Sequence, residues 1–254
     1  DNIYGIYSIN EKVPVTDAIV TLTGSSRILL ENSENSVGIF LENSTLNGSG
    51  IVEVGNEGIG LYGHNSVINL NSFTMNLSGN NALGFYLRGN TVFNAAGGLN
   101  TININGTNNI LYYFTSDFNG SFNQDFIVNS TPSSTYMLGV IKDMSYLYNG
   151  TANLGEGGIF VYGTDSSVTL GVNGHLESQY DNVIGIYLDG VYTTAPYEAL
   201  NTGSINLEGN NSAGIYLEGG ARALNDSGGV ISMGTGSAAI YGNFAGDIEN
   251  SGEI

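Results

Sequence analysis

The run Asn225-Asp226-Ser227-Gly228-Gly229 sets a serine between an acid and two glycines, a setting in which a serine hydroxyl can serve as a nucleophile. Such a serine attacks only when a positioned base takes its proton, and the chain has only two histidines, His64 and His175, to serve as that base. The run also falls where other parts of the chain carry the turn phrases LNTG and LNGSG, so it reads as a turn. Cleavage of polysaccharides would need clustered carboxylates, often with calcium or a basic residue beside them. Asp165, Asp181 and Asp189 are dispersed, no two aspartates are paired, and Arg27, Arg88 and Arg222 stand alone. Calcium-loop spacings are missing, and a chain without cysteine has no disulfide, thiolate metal site or cysteine nucleophile. The expectation is a protein with no catalytic residue, no cofactor and no metal.

Aromatic side chains are the more promising contact chemistry, because they supply large, rigid anchors to interfaces. Rings crowd between residues 107 and 150, where Pro132 also falls: Tyr112, Tyr113, Phe114, Phe118, Phe122, Phe126, Tyr136, Tyr146 and Tyr148. A smaller concentration, Tyr192 and Tyr197, sits in DGVYTTAPYEAL. The first is expected to be an irregular, aromatic-rich insertion and the second a loop around 189–199. Tyr112, Tyr113, Phe114, Phe118, Phe122, Tyr192 and Tyr197 are the leading candidates for binding a partner. The alternative is that these rings fill a wider core.

The elements that would carry these residues are written repeatedly. LNTGSINLEGNNSAGIYLEG (200–219) matches LNSFTMNLSGNNALGFYLRG (70–89) at eleven of twenty positions without a gap. An apolar-Gly-apolar-aromatic core recurs at Gly5, Gly38, Gly60, Gly84, Gly158, Gly185 and Gly214, with Ala239 in the glycine slot of an eighth copy. Degenerate copies at Ile110 and Gly139 bring the total to ten, about 26 residues apart, a period that belongs to solenoids. Apolar residues alternate around each glycine, as in Val37, Ile39 and Leu41, or Ala213, Ile215 and Leu217, which is the period of a strand with one buried face. A second alternating stretch precedes it, with Met75 and Leu77 flanking Asn76, and Ile205 and Leu207 flanking Asn206. With 38 glycines, 34 asparagines and three prolines, short strands separated by turns fit and helices do not. These features predict an all-β parallel β-helix of about ten rungs, continuous over 1–254.

Strict alternation would turn the glycine and the aromatic two residues later to solvent. The expected outer line is Tyr7, Phe40, Tyr62, Tyr86, Tyr112, Phe160, Tyr187, Tyr216 and Tyr241, broken by Ile141. Tyr62, Tyr86, Tyr187, Tyr216 and Tyr241 form a secondary candidate binding stripe. Glu218 is expected to be an outward residue of little structural weight.

Five Lys and Arg against 23 Asp and Glu give a net charge of −18, which disfavours nucleic acid and anionic membranes as partners and favours a basic face. No apolar run is long enough to insert in a membrane, and the chain reads as a piece of a longer one. The repeated phrases INLEGNNSAGIYLEGG and LNDSGGVISMGTGSAAIYG resemble the passenger domains of type V autotransporters, the large surface adhesins of Gram-negative bacteria, and the fusobacterial ones above all. That resemblance implies a right-handed β-helix, export through the outer membrane to the bacterial cell surface, and adhesion to host cells or other bacteria. The implied partner is a host surface receptor protein or glycan, or another bacterium, met by a monomeric segment. A polysaccharide-active β-helix enzyme and a passive stalk are the alternatives.

Overall fold

A computed structural model describes residues 4–10, 18–30, 33–95, 99–115, 117–131 and 140–254. Two compact units divide the chain, Asp1–Asn129 and Ser130–Ile254, and each is a parallel β-solenoid. The first unit carries β1 (Tyr4–Ile9), β2 (Ile19–Leu22), β3 (Arg27–Leu30), β4 (Val37–Glu42), β5 (Thr45–Val54), β6 (Ile59–His64), β7 (Val67–Leu77), β8 (Leu83–Arg88), β9 (Val92–Ala95), β10 (Thr101–Ile104), β11 (Ile110–Phe114), β12 (Ser121–Gln124) and all but the last residue of β13 (Ile127–Ser130). The second carries β14 (Val140–Lys142), β15 (Ser145–Tyr148), β16 (Thr151–Asn153), β17 (Ile159–Thr164), β18 (Ser167–Leu170), β19 (His175–Ser178), β20 (Ile184–Asp189), β21 (Ala199–Asn201), β22 (Ser204–Leu207), β23 (Ala213–Glu218), β24 (Ala223–Asn225), β25 (Val230–Met233), β26 (Ala238–Gly242) and β27 (Ile248–Asn250). Among the described residues every element is a strand.

The glycine-centred strands form one five-stranded sheet in each unit, β1-β4-β6-β8-β11 and β14-β17-β20-β23-β26. Pairing is parallel and like falls on like: Ile39 on Leu61 on Phe85, and Ile186 on Ile215 on Ile240. The preceding repeat stretch does the same, with Leu176, Ile205 and Ile231 in one inward column. Ile39, Leu61, Phe85, Ile186, Ile205 and Ile215 are fully buried, each contributing about 1.5–3 kcal/mol by leaving water.

Strict alternation fails at the glycine. In β4, β6, β8 and β20 the glycine and the residue after it are both buried, while the residue before it is half-exposed. The glycine thus faces the core, correcting the expectation that it faces solvent, and Val37, Leu83 and Ile184 are half-exposed. The reason is close approach. A Cβ on Gly38 would lie 2.5 Å from the Gly60 carbonyl oxygen and 2.9 Å from Val52 Cγ1; one on Gly84 would lie 2.6 Å from the Leu111 oxygen.

The corners explain the asparagines. Asn35, Asn81, Asn108, Asn182 and Asn211 hold φ between 52° and 60° at the corner before the glycine strand, a left-handed conformation that asparagine tolerates better than most residues. In GNNSAG, Asn210 N donates to Asp181 Oδ1 at 2.7 Å, Asn211 makes the left-handed step, and the buried Ser212 Oγ accepts from Val183 N at 3.1 Å. Ser212 N in turn donates to Ser237 Oγ at 2.9 Å, so the hydroxyls stack as a ladder. The corner after the glycine strand has its own ladder, with Ser44 N on Ser66 Oγ and Ser66 N on Thr91 Oγ1. The serine and threonine hydroxyls therefore satisfy backbone N–H groups that are buried at the corners.

Register makes a direct test. Ile215→Asp puts a charge between Ile186 and Ile240 and should cost more than about 4 kcal/mol, whereas Val37→Ser at the half-exposed slot should cost about 1 kcal/mol or less. Denaturant unfolding of the two variants checks both.

Candidate binding surface

The aromatic line exists in both units, with two members changed. In the first unit Tyr7, Phe40, Tyr62, Tyr86 and Tyr113 lie over one another at ring separations of 4.5–5.2 Å and interplanar angles of 3–17°. In the second, Tyr162, Tyr187, Tyr216 and Tyr241 follow at 4.7–5.0 Å, the first pair edge-to-face at 85°. Tyr112 is not in the line: Tyr113 pairs with Tyr86, and Tyr112 pairs with Phe85 inside the core. Phe160 is likewise buried, and Tyr162 takes the outer place against Tyr187. Ile141 falls opposite Gly163 and is buried. Gly139, with Pro132 and Tyr136, lies outside the described residues.

Within 107–150 most of the described rings build core. Tyr112 has no exposed surface, and its hydroxyl donates to Gln124 Oε1 at 3.2 Å, which also accepts from Phe126 N at 3.0 Å. Phe114 is 3% exposed. Phe122 is half-buried, stacked on Phe93 at 4.9 Å and edge-on to Phe114 at 5.0 Å. Phe126, Tyr146 and Tyr148 are buried too, and burial pushes the Tyr146 phenol well above its ordinary range. Strands β11, β12 and β15 pair in register with their neighbours, so these segments are rung strands with larger core residues. Of the candidates here, Tyr113, Phe118 and Phe122 keep half-exposed rings, Phe118 leaning on Phe114 at 5.0 Å.

Stacking governs what the first unit's stripe can offer. Neighbouring rings cover one another's faces, so ring edges and hydroxyls meet solvent. Beside Tyr86, Arg88 Nη2 pairs with Asp117 Oδ2 at 2.9 Å, and hydrogen bonds from Thr115 and then Arg88 hold the Asp117 carboxyl below its usual range. A trough of about 470 Å³ runs on the other side of these rings. Its walls are Leu83 and Ile110 on one side and Tyr86 and Tyr113 on the other, with Asn81 and Asn108 at the rim. The trough exists because Gly84 and Phe85, and Leu111 and Tyr112, face inward as consecutive pairs. That leaves the outward residues three positions, about 10 Å, apart along the strand.

In the second unit Glu218 gathers the stripe. Its carboxylate accepts from Tyr187 Oη at 2.8 Å, Asn243 Nδ2 at 2.9 Å and Tyr216 Oη at 3.2 Å. The Asn243 and tyrosine hydrogen bonds hold the carboxyl below its ordinary range. Burial, then Glu218, raises the Tyr187 phenol far above its own. Glu218 thus joins three side chains of the second unit's outer face.

The loop between β20 and β21 carries Tyr192 and Tyr197, both half-exposed, on a clamp that sequence reasoning missed. Glu198 is fully buried and meets Arg222 through Nη2 at 2.9 Å, Nε at 3.1 Å and the backbone N at 2.7 Å. Tyr192 N donates to the same carboxylate at 3.0 Å, and Arg222 Nη2 also reaches the Ala195 carbonyl at 2.8 Å. Burial opposes the charge on Glu198, but the hydrogen bonds from Arg222 and Tyr192 outweigh it and keep the carboxyl below its usual range. A glutamate followed 24 residues later by one of only three arginines was the available signal.

Residues weighed for catalysis play structural parts. Asn225 is buried in an amide ladder, accepting from Asn201 and donating to Asn250, each at 2.8 Å, so Ser227 sits on a rung turn. His175 Nδ1 lies 2.6 Å from Ser204 Oγ on the next rung, and His64 Nδ1 lies 3.4 Å from Glu42. Among the described residues no three histidine, aspartate or glutamate side chains converge as a metal site would require.

The class defined by this geometry is the parallel β-solenoid, with an aromatic face and hydrogen-bonded side-chain ladders. No family model, curated protein or solved structure matches the chain.

Two substitutions separate core from surface at adjacent positions. Tyr112→Ala should cost about 3–5 kcal/mol, and Tyr113→Ala about 0.5–1.5 kcal/mol, measured by denaturant unfolding. The clamp makes a pH prediction. Because the native pKa of Glu198 is lowered, its contribution is complete above the ordinary glutamate value of about 4.3 and is lost as pH falls through the native value. Arg222→Met should lower stability at pH 7, with the gap to the parent protein closing as pH falls below the ordinary glutamate value.

Proposed function

We propose that the chain is a non-catalytic adhesive segment of a bacterial surface protein, of the autotransporter passenger kind, that attaches its cell to host cells or other bacteria. The observation that carries this reading is the use to which polar side chains are put. Asparagine and serine groups pair with equivalent groups on the next rung, while the same aromatic row is presented outward rung after rung. A face of repeated contacts suits multivalent attachment, in which weak individual contacts add into avidity. The net charge of −18 favours approach to surfaces with a basic face.

Adhesion by the protein itself is the test. Beads coated with the 254-residue chain should adhere to epithelial or bacterial cells well above beads coated with an unrelated acidic protein, and free chain should compete. Coated beads that adhere no better than the control would overturn the adhesive reading.

A further inference from the structure

The trough beside Tyr86 and Tyr113 has features that specify a ligand class. Its volume of about 470 Å³ falls within the range of roughly 300–1,000 Å³ typical of small-molecule sites. In a protein of net charge −18, not one of the residues lining it is charged. An anionic ligand would meet the repelling field of the whole chain, and a cationic one, though drawn to the chain, would find no carboxylate among the lining residues to hold it in this trough. The ligand that fits is neutral.

The polar side-chain groups among the lining residues are the amides of Asn81 and Asn108 and the phenols of Tyr86 and Tyr113. Each of these groups both donates and accepts hydrogen bonds, so the complementary ligand carries groups that also do both, as hydroxyls do. Between the polar groups stand the aliphatic wall of Leu83 and Ile110 and the ring edges of the tyrosines, which match C–H surface on the ligand. Along the first unit's sheet the same pairing of walls recurs: Ile59 with Tyr62, and Val37 with Phe40. Repetition at each rung, about 4.8 Å apart, suits a linear ligand built of repeated units.

We propose that the Leu83–Ile110/Tyr86–Tyr113 trough is a binding site for a neutral, linear oligosaccharide. This deepens the adhesive reading and rests on it: the trough is where a glycan on the opposing surface is held. Asn81 and Asn108 at one rim and the tyrosine hydroxyls at the other hold sugar hydroxyls, while the two walls take the C–H faces.

The test is calorimetric titration of the full chain with maltohexaose, cellohexaose and a chitin hexamer, and with oligogalacturonate as the charged counterpart. At least one neutral hexamer should bind, and oligogalacturonate should not. Tyr113→Ala should weaken binding at least tenfold, as should Asn81→Gly, which removes the amide while keeping a residue at ease with φ of 55°. Tyr216→Ala, in the other unit's stripe, should leave binding unchanged, and circular dichroism should show all three variants folded. The proposal is overturned if no neutral hexamer binds, if only the charged one does, or if the trough variants bind as the parent does. Beads that adhere to cells uninhibited by any bound hexamer, and inhibited instead by a cationic polypeptide, would also overturn it while leaving adhesion standing. Binding of a hexamer by a chain whose beads do not adhere would sustain the site and remove the adhesive reading.

Discussion

Parallel, in-register stacking is the constraint from which the rest follows: each residue has its counterpart on the next rung about 4.8 Å away, so every column must be compatible with itself. Aliphatic and aromatic residues satisfy this by packing, and the asparagine amide satisfies it because one amide donates to the next. Asn201, Asn225 and Asn250 do so in one column, and Asn129, Asn103 and Asn76 do so in another that ends on Glu53. Charge is the chemistry that a self-stacking column tolerates worst, because like charges would stand face to face. Only 11% of residues are charged; Glu42 meets His64 and Glu218 bonds to Asn243, while the like pair Asp189 and Glu218 stands at a strand end, where Glu218 is held by Tyr187 and Tyr216 as well. An asparagine-rich, charge-poor composition is thus a direct consequence of the stacking.

The glycine slot is where this constraint touches function. Two consecutive inward residues break the strand's alternation and leave a gap on the outer face between an aliphatic column and an aromatic one. The same slot keeps neighbouring backbones close, since a Cβ on Gly38 or Gly84 would press on the carbonyl of the next rung. Where the slot carries Leu111 or Phe160, a larger side chain enters the core, and these are the rungs enriched in buried rings. Packing inside and relief outside are therefore set by one position per rung.

Most of the fold was legible because its signals are local and repeated: the period, the alternation at Ile205 and Leu207, and the turn phrases all read directly. The direction of the glycine was not legible, since strict alternation cannot describe a strand with two consecutive inward positions. The slip to Tyr112 had a related cause, for the motif was anchored on Ile110 whereas Leu111 occupies the slot. At Gly158 the slip was two residues, because that glycine belongs to a turn closed on the Gly155 carbonyl and Phe160 occupies the slot. Dense rings at 107–150 suggested a contact loop, but among the described residues most of that density fills a wider core. The buried Glu198 and its partner Arg222 were hidden by distance along the chain, since no local pattern joins residues on different rungs.

A chain without cysteine allows the register to be measured by paired substitution. Tyr86→Cys combined with Tyr113→Cys sets two half-exposed thiols opposite each other on adjacent rungs, whereas Tyr86→Cys with Tyr112→Cys sets one outside and one in the core. Treatment of the folded protein with a short bifunctional thiol reagent should join the first pair rapidly and the second hardly at all. Equal joining of both pairs, or preference for the second, would contradict the in-register stacking and inward glycine slot on which this account rests.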